Sequence, residues 1–594
     1  MINRELFSQS IEPAPSILSF DQNAVIFGFD TEFRSDTQQL ICWQLAYEDK
    51  VKLYESPLSW ESLREQAEKL SGKKLKCRGV FHFATFFSTA EAQHLSRLKT
   101  RFDQFYPGSY DVTHYLDPYR RLKLLDMAQW FAKQNLASAC HLFGLHKMDY
   151  DVSNVMPKSL KDCKFREYAL NDARIHRELF IRLRAHVWRL FQVDILKYRT
   201  AAAASLRHFR QSYITKTINN PCQALRSQAL STKHGGAMNN YFRGELAGKF
   251  YVYDAVSAYP QAVCALKVMP RAGDWRRVPT LERALSAKGG FLHVLFEFPP
   301  EVRYPCLIVK TASGAYYPLS GESFCTVAEA RLAVKMGAHL HLVSGYVYNS
   351  GTRELSRYMG RLLKLRKKSQ TPEENYLYKK FMNSLLGKFG QSYEKTSTAD
   401  IEETAAAYEM TTEQFCSIAG FAESKVKRRL HLGAGYIPEW YALITGTARA
   451  SVLEAAWRNN ALAVVVDSFI SPTSTLQTGD TYGGIRYTLK QTGIRYVAYR
   501  EMFYALYDED GIAAKIAHQG TPENSTVKNA LFRFDPQARE LHYKRKRIVK
   551  LQEAVRRGVR FGATIYENHS KPLYHPRGII TETGWVQPFD LAPR

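Results

Sequence analysis

Residues 251–260 read Y-V-Y-D-A-V-S-A-Y-P, and this stretch constrains the chain more than any other. Its aromatic and β-branched start favours a strand. Asp254 then falls at the strand end, with Ser257, Tyr259 and Pro260 following at fixed offsets. A carboxylate where the backbone turns can be handed to a metal ion. Asp467, far downstream, is the acid that would complete a two-metal site with it. The fold must therefore bring two distant strand ends together.

Charge says what such a site would face. The 594 residues include 82 Lys and Arg against 57 Asp and Glu, a formal net charge of +25. A field of that size points to a polyanionic partner, with nucleic acid the usual one. The nine cysteines are scattered, with no C-x-x-C, so neither a disulfide framework nor a zinc knuckle is implied. A reducing, cytoplasmic setting fits. No basic segment followed by an apolar run opens the chain, and no apolar run reaches the ~18 residues of a membrane span. Neither a signal peptide nor a membrane partner is expected.

The first third carries a second acidic pattern. An apolar strand over residues 24–29 leads into Asp30, Thr31 and Glu32. Two carboxylates two apart on a strand share a face, and oxygen ligands suit Mg²⁺ or Mn²⁺. Residues 39–47 alternate like the second strand of a hairpin. Residues 165–183 have helical periodicity, which places Tyr168 and Asp172 on one face. A phenol beside a metal-bound carboxylate can orient an attacking water. The set resembles the DEDD-type 3′–5′ exonuclease domain of proofreading polymerases. That family also has an Asn followed by an aromatic-Asp pair, whereas residues 81–91 read F-H-F-A-T-F-F-S-T-A-E. Glu91, at the start of a helix, is the candidate fourth acid, with Asp103 behind it. Asp126 reads either as a site-facing acid or as a structural strand-end Asp. Lys147 stands where a lysine either steadies a scissile phosphate or is simply solvated.

Residues 182–217 read mainly as helix. Gly235 and Gly236 follow Lys233 and permit close backbone approach. From Asp254 onward, D-x-x-S-x-Y-P resembles motif A of the family B DNA polymerases. The resemblance implies that Asp254 binds both metals, that the backbone at Ala255 and Val256 meets a triphosphate, and that Tyr259 lies under the incoming sugar. Residues 375–390 resemble motif B, with Lys379, Asn383 and Gly387 as nucleotide-binding positions and Leu386 where the family has tyrosine. Lys367, in the basic run 364–368, is a further phosphate candidate. In motif C, one register makes Asp467 the second aspartate, with Val465 replacing the first. The other makes Asp467 the first, with Phe469 at the lost ligand. The Lys233–Gly236 stretch stands where the family has a Tyr-x-Gly-Gly/Ala template-binding element. Tyr504 fits the tyrosine of the family's primer-holding Lys-x-Tyr, with Met502 at the lysine and Arg500 as substitute. Lys544, Arg545, Lys546 and Arg547, then Lys550, Arg556 and Arg557, suit a thumb gripping duplex phosphates.

The expectation is thus a multidomain α/β and α+β protein. An RNase H-like 3′–5′ exonuclease domain (1–190) precedes a right-hand polymerase: linker helices and first palm part (191–299), fingers (361–390), second palm part (436–522) and thumb (523–594). Insertions at 300–360 and 391–435 resemble the two terminal protein regions of the protein-primed branch used by phages and linear plasmids. The resemblance implies template-directed DNA synthesis from dNTPs with two Mg²⁺ or Mn²⁺ ions per active site. Template, primer and a terminal protein would be partners in a bacterial host. A primer-independent relative, and a nucleic-acid-binding protein without synthesis, stay open.

Overall fold

The computed structural model describes residues 12–13, 20–34, 37, 39–96, 99–106, 109–131, 134–152, 155–214, 217–218, 221–311, 314–395, 411, 429–474, 476, 479–518, 521, 525–549, 564–573 and 578–589. Most of the expected 391–435 insertion, with Lys550, Arg556, Arg557 and the Arg547 side chain, lies outside the described residues.

The first sheet has seven strands in the order Lys50–Tyr54, Leu40–Tyr47, Val25–Phe33, Val80–Thr85, Arg121–Asp126, Ser109–Tyr115, Thr100–Tyr106. The middle three are parallel and the outer pairs antiparallel. This is the mixed sheet of an RNase H-like domain. The helix Cys163–Phe191 packs along Val25–Phe33. Gly28 permits that contact, because a Cβ there would sit 1.8 Å from the Ala173 carbonyl. Asp162 caps the helix by accepting from the Lys164 N–H, and Gln192 ends it in a left-handed turn at φ 53°. The helical run expected over 182–217 is therefore broken. A loop held by the buried Arg184–Asp194 pair (2.7 Å) intervenes before the helix Ala201–Ser212, capped by Thr200.

The second sheet is wholly antiparallel. Its order is Ala513–His518, Phe503–Tyr507, Ile485–Arg500, Gly244–Ala255, Ser468–Ser471, Ala463–Val466, Ala237–Asn240, and Thr481–Tyr482 pairs onto Ile485–Arg500. Ile485–Arg500 and Phe503–Tyr507 are separate strands because the chain reverses at Met502, with φ 55°. The helix Pro438–Arg458 is buried on nearly every side. Its residues are mostly small or apolar, as a helix enclosed between layers requires, and its buried charges Glu439 and Arg449 are paired. Glu354–Lys368 and Pro372–Phe389 pack on each other. The latter also packs on Ala201–Ser212.

Two expected boundaries differ from the folded units. A four-stranded sheet (Trp275–Arg277, His339–Tyr348, Gly289–Glu297, Ser320–Thr326) begins upstream of residue 300, because its inner strands need partners from both sides of that point. The 523–594 region also divides. The helix Ser525–Phe532 and the hairpin of Glu540–Ile548 with Thr564–Pro572 stand together, but residues 578–589 return to the second sheet. There Arg243 N–H donates to the Gly584 carbonyl (2.8 Å), and Val586 N–H donates to that of Tyr241 (2.9 Å). Among the described residues, no helix is long and apolar enough to cross a membrane.

Two fully buried ion pairs join these layers. Arg449 Nε lies 2.8 Å from Glu329 Oε1, and Arg226 Nε lies 2.7 Å from Glu439 Oε1. Removing one partner of a buried pair strands the other charge in a medium that solvates it poorly. Glu329→Ala is expected to cost about 3–5 kcal/mol, read as a shift in the urea unfolding midpoint. Glu55→Ala, which frees the exposed Arg166, is expected to cost under ~1 kcal/mol.

Candidate active sites

The first site forms where three strands of the second sheet meet. Ala255 N–H donates to the Asp467 carbonyl at 2.8 Å, and Asp254 is the register partner of Ser468 on one side and Thr488 on the other. Asp467 occupies the turn between Ala463–Val466 and Ser468–Ser471. Residues 463–471 thus form a tight hairpin with the acid at its tip. Val466, just before it, has φ 60°, and Ser257, just after Asp254, has φ 53°. For a β-branched residue this is costly, and such strain collects where a site dictates geometry. Gly236 abuts the hairpin: a Cβ there would lie 2.8 Å from Val466 Cγ1. Gly235 adopts φ 82° and its carbonyl accepts from Arg449 Nη1 at 2.5 Å.

A cleft of about 420 Å³ opens over the two acids. Asp254, Tyr259, Lys379, Asn383, Gly387 and Asp467 all line it. Burial, and then the charge of Asp254, pushes the Asp467 carboxyl up to about 6, opposed by Lys379 and Lys515. Burial likewise raises the Tyr259 phenol to about 12. Of the two motif C registers, Asp467 stands beside Asp254, while Val465 packs against an apolar cluster and offers no ligand atom. Two facing carboxylates supply the oxygen donors that a hard divalent cation requires.

Several expected contacts are replaced. Lys367 points to solvent, one residue out of helical phase, and Arg366 lines the cleft instead, donating to Ser257 Oγ at 2.6 Å. The N–H groups of Ala255 and Val256 are spent on the carbonyls of Asp467 and Arg486, so they cannot also bind a triphosphate. Lys233 donates to the Gly390 carbonyl at 2.7 Å and lies over the Tyr441 ring, tying the end of Pro372–Phe389 to the Gly235–Gly236 loop. Tyr504 is 1% exposed, packed against Tyr496, and cannot touch a primer end. Arg500 donates to the Pro572 carbonyl. Lys544, Arg545 and Lys546 are exposed on the strand Glu540–Ile548, not on a helix.

Two lysines went unread in the sequence. Lys490 Nζ lies 3.6 Å from Asp254 Oδ2, and Lys515 Nζ lies 3.5 Å from Ser468 Oγ. Lys490 is the extra residue of a bulge between Leu489 and Gln491, a device that re-aims side chains beside sites. Nothing in T-L-K-Q-T announces a bulge.

The second site lies on the first sheet. Ligand oxygens of Asp30, Glu32 and Asp172 all fall within 4.8 Å of one another. Lys147 Nζ donates to Asp172 Oδ1 at 2.7 Å and sits 4.5 Å from the Tyr168 ring centroid. His176 Nδ1 meets the Phe29 carbonyl at 2.9 Å and fixes the helix over the strand end. Burial, then the charge of Asp172, holds the Asp30 carboxyl well above its usual range, with Lys147 opposing. Burial, then Asp30, does the same to Glu32 and Glu91. Glu32 Oε1 and Glu91 Oε2 are buried without a hydrogen-bond partner. Carboxylates crowded and desolvated against one lysine suit a divalent cation, whose charge they lack. Tyr168 is buried beside them, its phenol pushed up by burial and by the three acids. Asp103 is turned away, paired with Arg101 at 2.8 Å.

Residues 140–426 match the family described as DNA polymerase type B, organellar and viral. The primer-independent DNA polymerase PolB of Escherichia coli is 28% identical over 249 residues, which is 36% of this chain and 29% of that protein's length. Among solved structures, phi29 DNA polymerase with primer-template DNA and incoming nucleotides is similar at TM-score 0.62 and 14% identity, over 92% of this chain and 99% of that one. Phi29 DNA polymerase with single-stranded DNA gives 0.61 at 15% identity, over 93% and 100%. At such identities the likeness is one of fold.

A carboxyl held near 6 is protonated below that pH, and a cation must displace the proton. The Mg²⁺ concentration that half-saturates the cleft, read by titration calorimetry, is expected to rise about tenfold per pH unit below about 6 and to be level between about 7 and 8. A profile level down to pH 5 would remove Asp467 from the metal site.

Proposed function

From the match of residues 140–426 to the type B DNA polymerases, organellar and viral, we propose that the chain is a template-directed DNA polymerase with a 3′–5′ proofreading nuclease. The observation that carries the first part is the pairing that sets Asp254 beside Asp467 under a cleft lined by Arg366, Lys379 and Asn383. Asp254 and Asp467 would hold two Mg²⁺ or Mn²⁺ ions, which would lower the pKa of the primer hydroxyl and stabilise the leaving pyrophosphate. The hydroxyl oxygen bonds to the α-phosphorus of a dNTP as the bond to the β-phosphate oxygen breaks. Lys379 and Arg366 neutralise the triphosphate, Asn383 contacts the nucleotide and Tyr259 floors the sugar. Exposed Lys544, Arg545 and Lys546 grip duplex phosphates, a contact that weakens with salt. The reducing, cytoplasmic setting that the sequence suggests is compatible with eight described cysteines that are all free.

The nuclease reading rests on the four acids Asp30, Glu32, Glu91 and Asp172. Tyr168 would orient the attacking water, and Lys147, which donates to Asp172, is close enough to the acids to steady the scissile phosphate. For initiation, the sequence resemblance favours a terminal protein hydroxyl as primer, bound at the 300–360 and 391–435 regions in a phage- or plasmid-encoded system. A second reading is supported by the relative from Escherichia coli, which is described as primer-independent.

Asp254→Ala is expected to reduce extension of a labelled primer to background. The pair Asp30→Ala and Glu32→Ala should abolish degradation of labelled single strands and leave extension intact. Equal extension by wild type and Asp254→Ala would reject the polymerase site and favour a nucleic-acid-binding protein without synthesis. A closed circular single strand with no primer separates the initiation readings: product without any added protein supports the primer-independent one, and product only with a terminal protein supports the other.

A further inference from the structure

Glu91 sits on a helix that cannot hold itself. Thr89–Ala92 is four residues long, and Ser88 provides no side-chain cap. Phe87, which leads into it, is 40% exposed with φ 65°, a costly conformation for an aromatic residue. Yet Glu91 is 1% exposed and faces the charges of Asp30 and Glu32. Something outside the helix must fix it there.

The geometry points to Asp126 as the positioning residue that seats Glu91 in the nuclease cluster, acting through the turn at Phe87 and Ser88. This inference rests on the nuclease reading given above. Asp126 is fully buried at the end of Arg121–Asp126, in register with Thr85. Its Oδ1 accepts from Phe87 N–H at 3.1 Å and Ala128 N–H at 2.8 Å. Its Oδ2 accepts from Ser88 N–H at 3.2 Å, with Ser88 Oγ 3.3 Å away. Three backbone N–H groups thus converge on one carboxylate. Two of them belong to the strained turn before the Glu91 helix, so the carboxylate stabilises a conformation the turn disfavours. Asp126 is pinned in its turn. Its own N–H donates to Asp111 Oδ1 at 2.9 Å, and Arg199 holds Asp111 through Nε at 2.6 Å and Nη2 at 3.1 Å. Arg199 lies in the loop joining the two halves of the chain, so the seating of Glu91 is tied to that junction. An asparagine at 126 keeps the volume but places an NH₂ opposite one of the N–H groups. Neither can then accept, and the turn loses a bond on that side.

The test is a double-mutant comparison. Asp126→Asn and Glu91→Gln are each expected to slow degradation of labelled single strands about 10–100-fold, the range seen when outer-shell partners of metal ligands are lost. The double variant should degrade no more slowly than Glu91→Gln alone, and primer extension by Asp126→Asn should equal wild type. Losses that multiply, or a parallel drop in extension, would make Asp126 a structural residue and overturn the inference. Mn²⁺ titration calorimetry in an Asp254→Asn, Asp467→Asn background supplies a readout independent of cleavage. Asp126→Asn should weaken binding as much as Glu91→Gln does, and unchanged binding overturns the inference. A wild type that degrades nothing, but whose Mn²⁺ affinity falls with Asp126→Asn, would reject the nuclease reading and leave the positioning role standing.

Discussion

One backbone hydrogen bond, from Ala255 N–H to the Asp467 carbonyl, fixes the geometry on which the proposed polymerase site depends. Side chains alternate along strands with a strict period, so the antiparallel register that pairs Asp254 with Ser468 also decides which face each carboxylate shares. A one-residue slip would send Asp254 to the opposite face. The neighbours lock the register. Gly236 lets a loop close on Val466, Gln261 accepts from the Arg486 N–H at 3.1 Å, and Arg449 joins the Gly235 loop to the buried helix Pro438–Arg458.

Both acidic sites obey the same electrostatics. Asp467 in one, and Asp30, Glu32 and Glu91 in the other, are pressed against neighbouring acids where water is scarce, which raises the cost of their charge. Each cluster has a lysine beside it: Lys147 on Asp172 and Lys490 near Asp254. The lysines offset part of the repulsion but cannot bridge several oxygens at once, as a divalent ion does. The cleft over Asp254 and Asp467 differs from the cluster on the first sheet in its cations. Arg366, Lys379, Lys490 and Lys515 surround only two acids, a balance that favours a polyphosphate arriving together with its metals. The Asp30, Glu32 and Asp172 cluster holds more acid and one lysine, which suits the proposed role of a metal-bound water against a single phosphodiester.

The backbone plan was legible where a local pattern carried it. The strand into Asp254, the helix bearing Tyr168 and Asp172, the helix bearing Lys379 and Asn383, and the enclosed Pro438–Arg458 all declare themselves by periodicity or by a mostly small or apolar make-up. What stayed hidden depended on tertiary context. Tyr504 and Arg500 lie on strands of the right character, but neither burial nor a carbonyl partner is written in a strand's alternation. Lys490 needed a bulge, and Arg366 rather than Lys367 needed the phase of a helix against its neighbour. The return of residues 578–589 to the Tyr241–Arg243 edge depends on hydrogen bonds between segments far apart in the chain. Asp126 could be read either way from its strand end, and only the folded chain shows that its carboxylate is spent on the N–H groups of Phe87, Ser88 and Ala128.

The account stands on two metal ions shared by Asp254 and Asp467. Crystals grown with Mn²⁺, primer-template DNA and a non-hydrolysable dNTP, measured for anomalous scattering, test that most directly. Two peaks ~3.5–4 Å apart, bridged by these two carboxylates, are the predicted result. Ions absent from that cleft, or held there without Asp254 and Asp467, would contradict it.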